Sequence, residues 1–193
     1  MKVFQIGFNK CGTTSIGHFF ERNGLKAVHW GAGHLARVMK ANYLLGNKLL
    51  EGIEDYDFYS DLEFVNDDQF IYAFKDYFKL LDQQYPGSKF ILNTRSVTKW
   101  IQSRINHGGG TYLTRFKRIY KVETEEEVIS QWLKLWYQHH ADVITYFQDR
   151  DNFLLFDIEN DDADKLVQFM SPMNMDKKHY MHIHKTNLDS PCH

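Results

Sequence analysis

Val3-Phe4-Gln5-Ile6-Gly7-Phe8-Asn9-Lys10-Cys11-Gly12-Thr13-Thr14-Ser15-Ile16 decides the fold. Val3, Phe4 and Ile6 are strand formers halted at Gly7, and Thr13 to Phe20 has helical composition with hydroxyl residues at its head. A buried strand that turns through glycines into a helix leaves the first-turn amides and the positive end of the helix dipole facing the loop. Together they attract an anion. Gly12 lets the backbone approach closely. The stretch reads as a phosphate cradle.

Compared with the pattern G-x-x-x-x-G-K-[ST], Gly7, Gly12 and Thr14 fit, whereas Thr13 stands where the lysine for the β- and γ-phosphates belongs. The cation is found earlier in the chain, at Lys10. A cradle with its point charge moved suits a ligand that carries a phosphate on one side and a transferable group elsewhere. It suits ordinary ATP chemistry poorly.

Outward from this turn the chain alternates strands and helices. Lys26–Trp30 reads as a second strand, His34–Leu45 as a helix, and Asp57–Asp61 as a third strand that brings Asp61, with Glu63 just beyond, to a sheet edge where α/β proteins bind ligands. Phe70–Tyr85 reads as a helix ended by Pro86-Gly87. Lys89-Phe90-Ile91-Leu92-Asn93-Thr94 is a clear strand ending in Arg95-Ser96, and Val97–His107 continues as a helix. Gly108-Gly109-Gly110 breaks it and predicts a mobile loop, followed by Arg115, Lys117, Arg118 and Lys121 on a solvated helical face. Thr124 and Glu127 form a capping box ahead of a long amphipathic helix whose Trp132 and Trp136 belong to the core. His139 and His140 on that helix read as interfacial or exposed, not as a metal pair, because adjacent residues do not share a face. Phe153–Asp157 is a last strand and Asp162–Met170 a short helix. The chain beyond Pro172 lacks periodicity and reads as a C-terminal flap or tail.

This alternation predicts a three-layer α/β sandwich of the P-loop kind, with a mostly parallel central sheet and helices on both faces. A length of 193 residues fits one domain. A formal net charge of −2 argues against a nucleic-acid partner held by bulk charge. The aromatic share of 16% is high and implies bulky cores or an aromatic-lined pocket. Cys11 and Cys192 offer no disulfide framework, and no apolar run is long enough to span a bilayer, so the expected compartment is the cytoplasm.

Two stretches together, Gly7-Phe8-Asn9-Lys10-Cys11-Gly12-Thr13-Thr14-Ser15 and Phe90-Ile91-Leu92-Asn93-Thr94-Arg95 with Trp100 and Ser103, resemble the two cofactor motifs of sulfotransferases that use 3′-phosphoadenosine 5′-phosphosulfate (PAPS). Tyr85-Pro86-Gly87-Ser88-Lys89 and Phe156-Asp157-Ile158-Glu159 are similar to the small bacterial-type members. The resemblance implies a 5′-phosphosulfate loop at Asn9–Ser15, with Lys10, Cys11, Gly12, Thr13 and Thr14 around the anion, and a 3′-phosphate site at Arg95 and Ser103. It implies that Lys10 neutralises charge on the leaving phosphate. Asp61 occupies the place of the acceptor's general base, with His29 and Glu63 as alternatives, although the proline that usually follows such an Asp is missing. Lys185, with Thr186, resembles a C-terminal segment that contacts the cofactor. The partners implied are a nucleotide co-substrate and an acceptor hydroxyl or amine. Two other readings stand beside this one: an ATP/magnesium phosphotransferase with Phe153–Asp157 as its Walker B strand, and a nucleotide-binding module without chemistry.

Overall fold

A computed structural model of the chain describes residues 1–181. Lys185 and Thr186 lie outside the described residues, as does the His182–Asn187 stretch of the expected flap.

Five strands form one parallel sheet: β1 (Val3–Gln5), β2 (Ala27–His29), β3 (Phe58–Ser60), β6 (Lys89–Thr94) and β7 (Phe153–Asp157), in the order β2-β3-β1-β6-β7. Period-two alternation sends successive side chains to opposite faces. Phe4, Tyr59, Phe90 and Leu92 enter one core, and Val3, Phe58, Ile91 and Phe156 enter the other. On the first face lie α2 (His34–Leu45), α3 (Ala73–Gln84), α4 (Val97–Ile105), α5 (Thr111–Tyr120) and α6 (Glu125–Tyr146). On the second lie α1 (Thr13–Arg22) and α7 (Ala163–Phe169). The predicted three-layer sandwich is what forms.

The strand order makes β1 the point at which the chain switches direction across the sheet. It goes to the outer strand β2 and back to β3 on one side, and later to β6 and then β7 on the other. Ligand crevices of open α/β sheets open outside the strands' carboxyl ends at such a point. The glycine turn after β1 stands there.

Two sequence expectations need correction. Phe70 does not begin a helix: Phe70–Tyr72 is a strand, β5, antiparallel to β4 (Glu63–Val65), and the helix starts only at Ala73. Three consecutive aromatic or β-branched residues favour extended backbone, and Glu63–Val65 is there to pair with them. His139 is fully buried; its Nε2 donates to the Ile6 carbonyl at 2.6 Å, and desolvation by burial lowers its pKa to about 3, so it stays neutral. The break expected at Gly108-Gly109-Gly110 is there: all three glycines lie in the turn between α4 and α5 at positive φ (61, 62 and 87°).

Other expectations hold. Thr124 and Glu127 form the capping box of α6: the Glu127 amide donates to Thr124 Oγ1 at 3.2 Å and the Thr124 amide to Glu127 Oε2 at 3.0 Å. Such a cap contributes about 1 kcal/mol. Trp132 and Trp136 are core residues. Arg115 and Arg118 pair with Asp67 on a solvated face. The described part of the C-terminal segment packs against the far end of α1. The Asp176 amide donates to Asn23 Oδ1 at 2.7 Å, and Tyr180 meets Phe19 and Phe156 edge-on. None of the described helices is long and apolar enough to cross a membrane.

Candidate active site

The carboxyl ends of all five parallel strands supply the site. From β1 comes the turn Gly7–Gly12, clamped from β6 by Asn93. The Gly7 amide donates to Asn93 Oδ1 at 3.0 Å, and Asn93 Nδ2 donates to the Phe8 carbonyl at 3.3 Å and the Cys11 carbonyl at 2.9 Å. The approach is so close that a Cβ at Gly7 would lie 2.2 Å from the Asn93 carbonyl oxygen. Lys10 and Gly12 are both left-handed, at φ 63 and 72°. For a lysine that backbone is unfavourable, and it persists because the clamp fixes it from both sides.

Beyond Gly12 the first bond of the α1 ladder runs from the Ile16 amide to the Gly12 carbonyl at 3.1 Å, so the amides before it belong to the anion-attracting first turn. Thr13 and Ser15 are buried there, and Thr14 is half-buried. The Cys11 side chain is fully buried and desolvation raises its thiol pKa, so this residue offers only its backbone to a ligand. Asn9 also turns inward. Its Nδ2 donates to Glu63 Oε1 at 2.8 Å, and its carbonyl accepts from Trp100 Nε1 at 3.1 Å.

From β6 comes Arg95, whose Nη1 donates to the Lys10 carbonyl at 3.1 Å. The two predicted phosphate-recognising turns therefore meet. Arg95 precedes α4, so it shares no helix face with Ser103; it stands at the strand end, while half-buried Ser103 lies about 9 Å further along α4 from Val97. From β7 comes the turn 157–161. Ile158 packs so tightly on the loop that a Cβ at Gly12 would meet its Cγ2 at 2.9 Å. The Asp157 carboxylate is engaged by its own turn, accepting from the Glu159 amide at 2.9 Å and from Asn160 Nδ2 at 2.8 Å.

From β3 and β4 come Asp61 and Glu63. Asp61 is left-handed at φ 53°, and the Glu63 amide donates to its carbonyl at 2.8 Å. Glu63 Oε1 also accepts from Tyr112 Oη at 3.2 Å, while Glu63 Oε2 and Asp61 Oδ1 are buried without a partner. Burial raises the pKa of both carboxyls. For Asp61 the neighbouring Glu63 adds to the rise, against Lys10 and Arg104; for Glu63, Arg104, Tyr112 and Asn9 hold the value to about 7. The two carboxyls titrate as a pair. Lys10 Nζ lies 3.5 Å from His107 Nδ1. Burial, with Arg95 behind it, lowers the Lys10 pKa, while Asp61 and Glu63 pull the other way.

From β2 comes His29, with Nδ1 2.9 Å from Ser60 Oγ and Nε2 3.6 Å from Asp61 Oδ2 and 3.5 Å from Thr14 Oγ1. If the Ser60 hydroxyl donates to the Val28 carbonyl at 3.4 Å, the imidazole proton sits on Nδ1 and Nε2 carries a lone pair. Burial lowers the His29 pKa to about 4, keeping the ring neutral.

Arg104 and Asn93 escaped the sequence reading. Arg104 is fully buried, its guanidinium 4.5 Å from the Trp132 ring centre and 4.7 Å from that of Trp100, and its Nη2 donates to Tyr72 Oη at 2.5 Å and Tyr112 Oη at 2.8 Å. The aromatic excess wraps a buried cation, and through Tyr112 that cation supports Glu63. Two signals pointed this way. Arg104 falls one turn after Trp100 on the apolar stripe of α4, and Asn93 interrupts an otherwise apolar strand.

The site brings together Lys10, Thr13, Thr14, Asp61, Glu63, His29 and Arg95 around one sheet edge. No curated protein matches the chain. The family model described as a sulfotransferase domain matches residues 2–184. The chain belongs to the sulfotransferase-domain family, whose members are transferases of the sulfuryl group.

Proposed function

We propose that this protein transfers a sulfuryl group from PAPS to a hydroxyl or amine acceptor, acting as one domain over residues 1–193 in the cytoplasm. The observation that supports the reading is the 3.1 Å bond from Arg95 Nη1 to the Lys10 carbonyl, which joins the turn after β1 to the turn after β6, as a nucleotide held at both of its phosphorylated ends requires. The buried free thiol of Cys11 is in keeping with a reducing compartment.

The donor supplies a sulfuryl group on a phosphate leaving group. Around it the first-turn amides of α1 and the hydroxyls of Thr13 and Thr14 hold the 5′-phosphate, and Arg95, with Ser103, takes the 3′-phosphate through a charge-assisted fork. As the S–O bond to the leaving phosphate breaks, Lys10 Nζ offsets the charge that grows on the departing oxygen. The acceptor's oxygen or nitrogen forms the new bond to sulfur, and its proton passes to the Asp61 carboxylate. Glu63 shares the titration of that carboxylate. His29, neutral and hydrogen-bonded to Ser60, orients the Asp61 side of the pocket.

The test is turnover with labelled PAPS against phenol, sugar and amine acceptors in magnesium-free buffer. Release of adenosine 3′,5′-bisphosphate together with a sulfated acceptor is expected. Phosphoryl transfer from ATP and magnesium in place of this would move the assignment to a phosphotransferase, and bisphosphate binding with no turnover on any acceptor would leave a binding module.

A further inference from the structure

The turn after β7 contributes an anion to the site that needs explaining. The Glu159 carboxylate lies at the mouth of the Arg95 pocket: Oε1 is 3.4 Å from Arg95 Nη2 and 2.8 Å from Lys99 Nζ, and Oε2 accepts the Ser96 amide at the head of α4 at 2.9 Å. A guanidinium, an ammonium and a helix-initiating amide around two carboxylate oxygens are the set of donors that a phosphate monoester would use. Arg95 Nε is buried without a partner, so the fork is not saturated by the carboxylate it faces. The backbone carrying Glu159 is anchored: the Ile158 amide donates to the Thr94 carbonyl at 3.0 Å, and the Glu159 amide to Asp157 Oδ1 at 2.9 Å. With the backbone fixed, any departure of the carboxylate is a rotation of the side chain. Burial acts to raise the Glu159 pKa, but Lys99, the Ser96 amide and Arg95 outweigh it and hold the carboxyl below its ordinary value.

We propose that Glu159 is a resident anion on Arg95, so that donor binding exchanges its carboxylate for the 3′-phosphate on that guanidinium and releases the carboxylate toward Lys99 and the head of α4. The proposal rests on the donor reading above. It makes Glu159 a positioning residue that sets donor affinity: it keeps the cations aligned and the helix head satisfied while the site is empty, and it opposes the incoming dianion by like charge.

Calorimetric titration with adenosine 3′,5′-bisphosphate and with adenosine 5′-monophosphate, without magnesium, separates the possibilities. Glu159→Gln keeps an acceptor for the Ser96 amide and removes the charge. It is expected to bind the bisphosphate about tenfold tighter than the native chain while leaving the monophosphate unchanged. Glu159→Ala, the second variant, is expected to show the same gain with a lower Tm, because the Ser96 amide loses its acceptor. Unchanged or weaker bisphosphate binding in Glu159→Gln overturns the proposal, and so does equal tightening of both nucleotides, which is a net-charge effect. A native chain that binds both nucleotides alike overturns instead the donor reading beneath it.

Discussion

The Asn93 side chain on β6 accepts the Gly7 amide hydrogen at 3.0 Å and donates to the Cys11 carbonyl at 2.9 Å. One amide side chain therefore holds both ends of the turn between β1 and α1. Asn93 is fully buried, so each of these bonds is made where water cannot replace it. The turn keeps its shape because the neighbouring strand holds it, and Arg95, which reaches the same turn through the Lys10 carbonyl, follows Asn93 by two positions.

Removal of this clamp should cost both stability and ligand binding. Asn93→Ala leaves the Gly7 amide and the Phe8 and Cys11 carbonyls without their partner, a loss of about 3 kcal/mol. Gly7→Ala forces a Cβ to 2.2 Å from backbone and is expected to destabilise by about 3 kcal/mol or more. Urea denaturation measures both. A midpoint within error of the native chain in either variant would show that the turn is held by something else.

Lys10 and Arg95 should separate kinetically although they touch. Lys10→Ala loses an interaction that strengthens as the leaving oxygen gains charge, so kcat is expected to fall about 100- to 1,000-fold with a small change in donor KM. Arg95→Ala loses binding common to the ground and transition states, so donor KM is expected to rise about tenfold or more while kcat at saturation is largely kept. Steady-state kinetics with varied donor reads the split. An unchanged kcat in Lys10→Ala would remove it from the chemistry.

The pH profile should identify the base. A carboxyl whose pKa is raised must lose its proton before it can accept one from the acceptor, so kcat/KM should climb with pH through the Asp61–Glu63 titration, with a limb well above the ordinary carboxylate range. Arg104 holds the Glu63 value down, so Arg104→Met should move the limb to higher pH. Asp61→Asn should cost about 100-fold or more. His29, lowered to about 4, would instead give a limb near that value. A limb near 4 that vanishes in His29→Ala would transfer the role to the imidazole.

The same carboxyls affect stability with a definite sign. The Glu63 value of about 7 lies above the ordinary 4.5, so the folded state binds the extra proton between these values. The stabilisation is complete below about pH 4.5 and is lost as pH rises through about 7. Glu63→Gln should flatten this part of the pH–stability curve as followed by urea midpoints. A curve unchanged by the substitution would mean that Glu63 titrates normally.

Legibility in the sequence followed physical range. Local patterns gave β1, β6, α1 and the α6 cap, because strand alternation, helical periodicity and capping are decided within a few residues. The strand ending at Thr94 put Arg95 at a carboxyl edge, and the parallel order then brought it to Lys10. Phe70–Tyr72 reads as helix in the sequence because its partner, Glu63–Val65, is short and reveals itself only by pairing. The burial of His139 has no local signature because it depends on the Ile6 carbonyl across the core. Arg104 and Glu159 likewise acquire their meaning from partners far away in the chain, Tyr72 and Arg95, which periodicity does not connect.

The central claim is that two turns grip one nucleotide at both of its phosphorylated ends. The most direct test is a cycle of dissociation constants, taken without magnesium, for adenosine 3′,5′-bisphosphate and adenosine 5′-monophosphate on the native chain and on Arg95→Ala. The account predicts that removing the 3′-phosphate costs the native chain about tenfold or more and costs Arg95→Ala almost nothing. An equal cost in both proteins, or tighter binding of ATP with magnesium than of the bisphosphate, would contradict it.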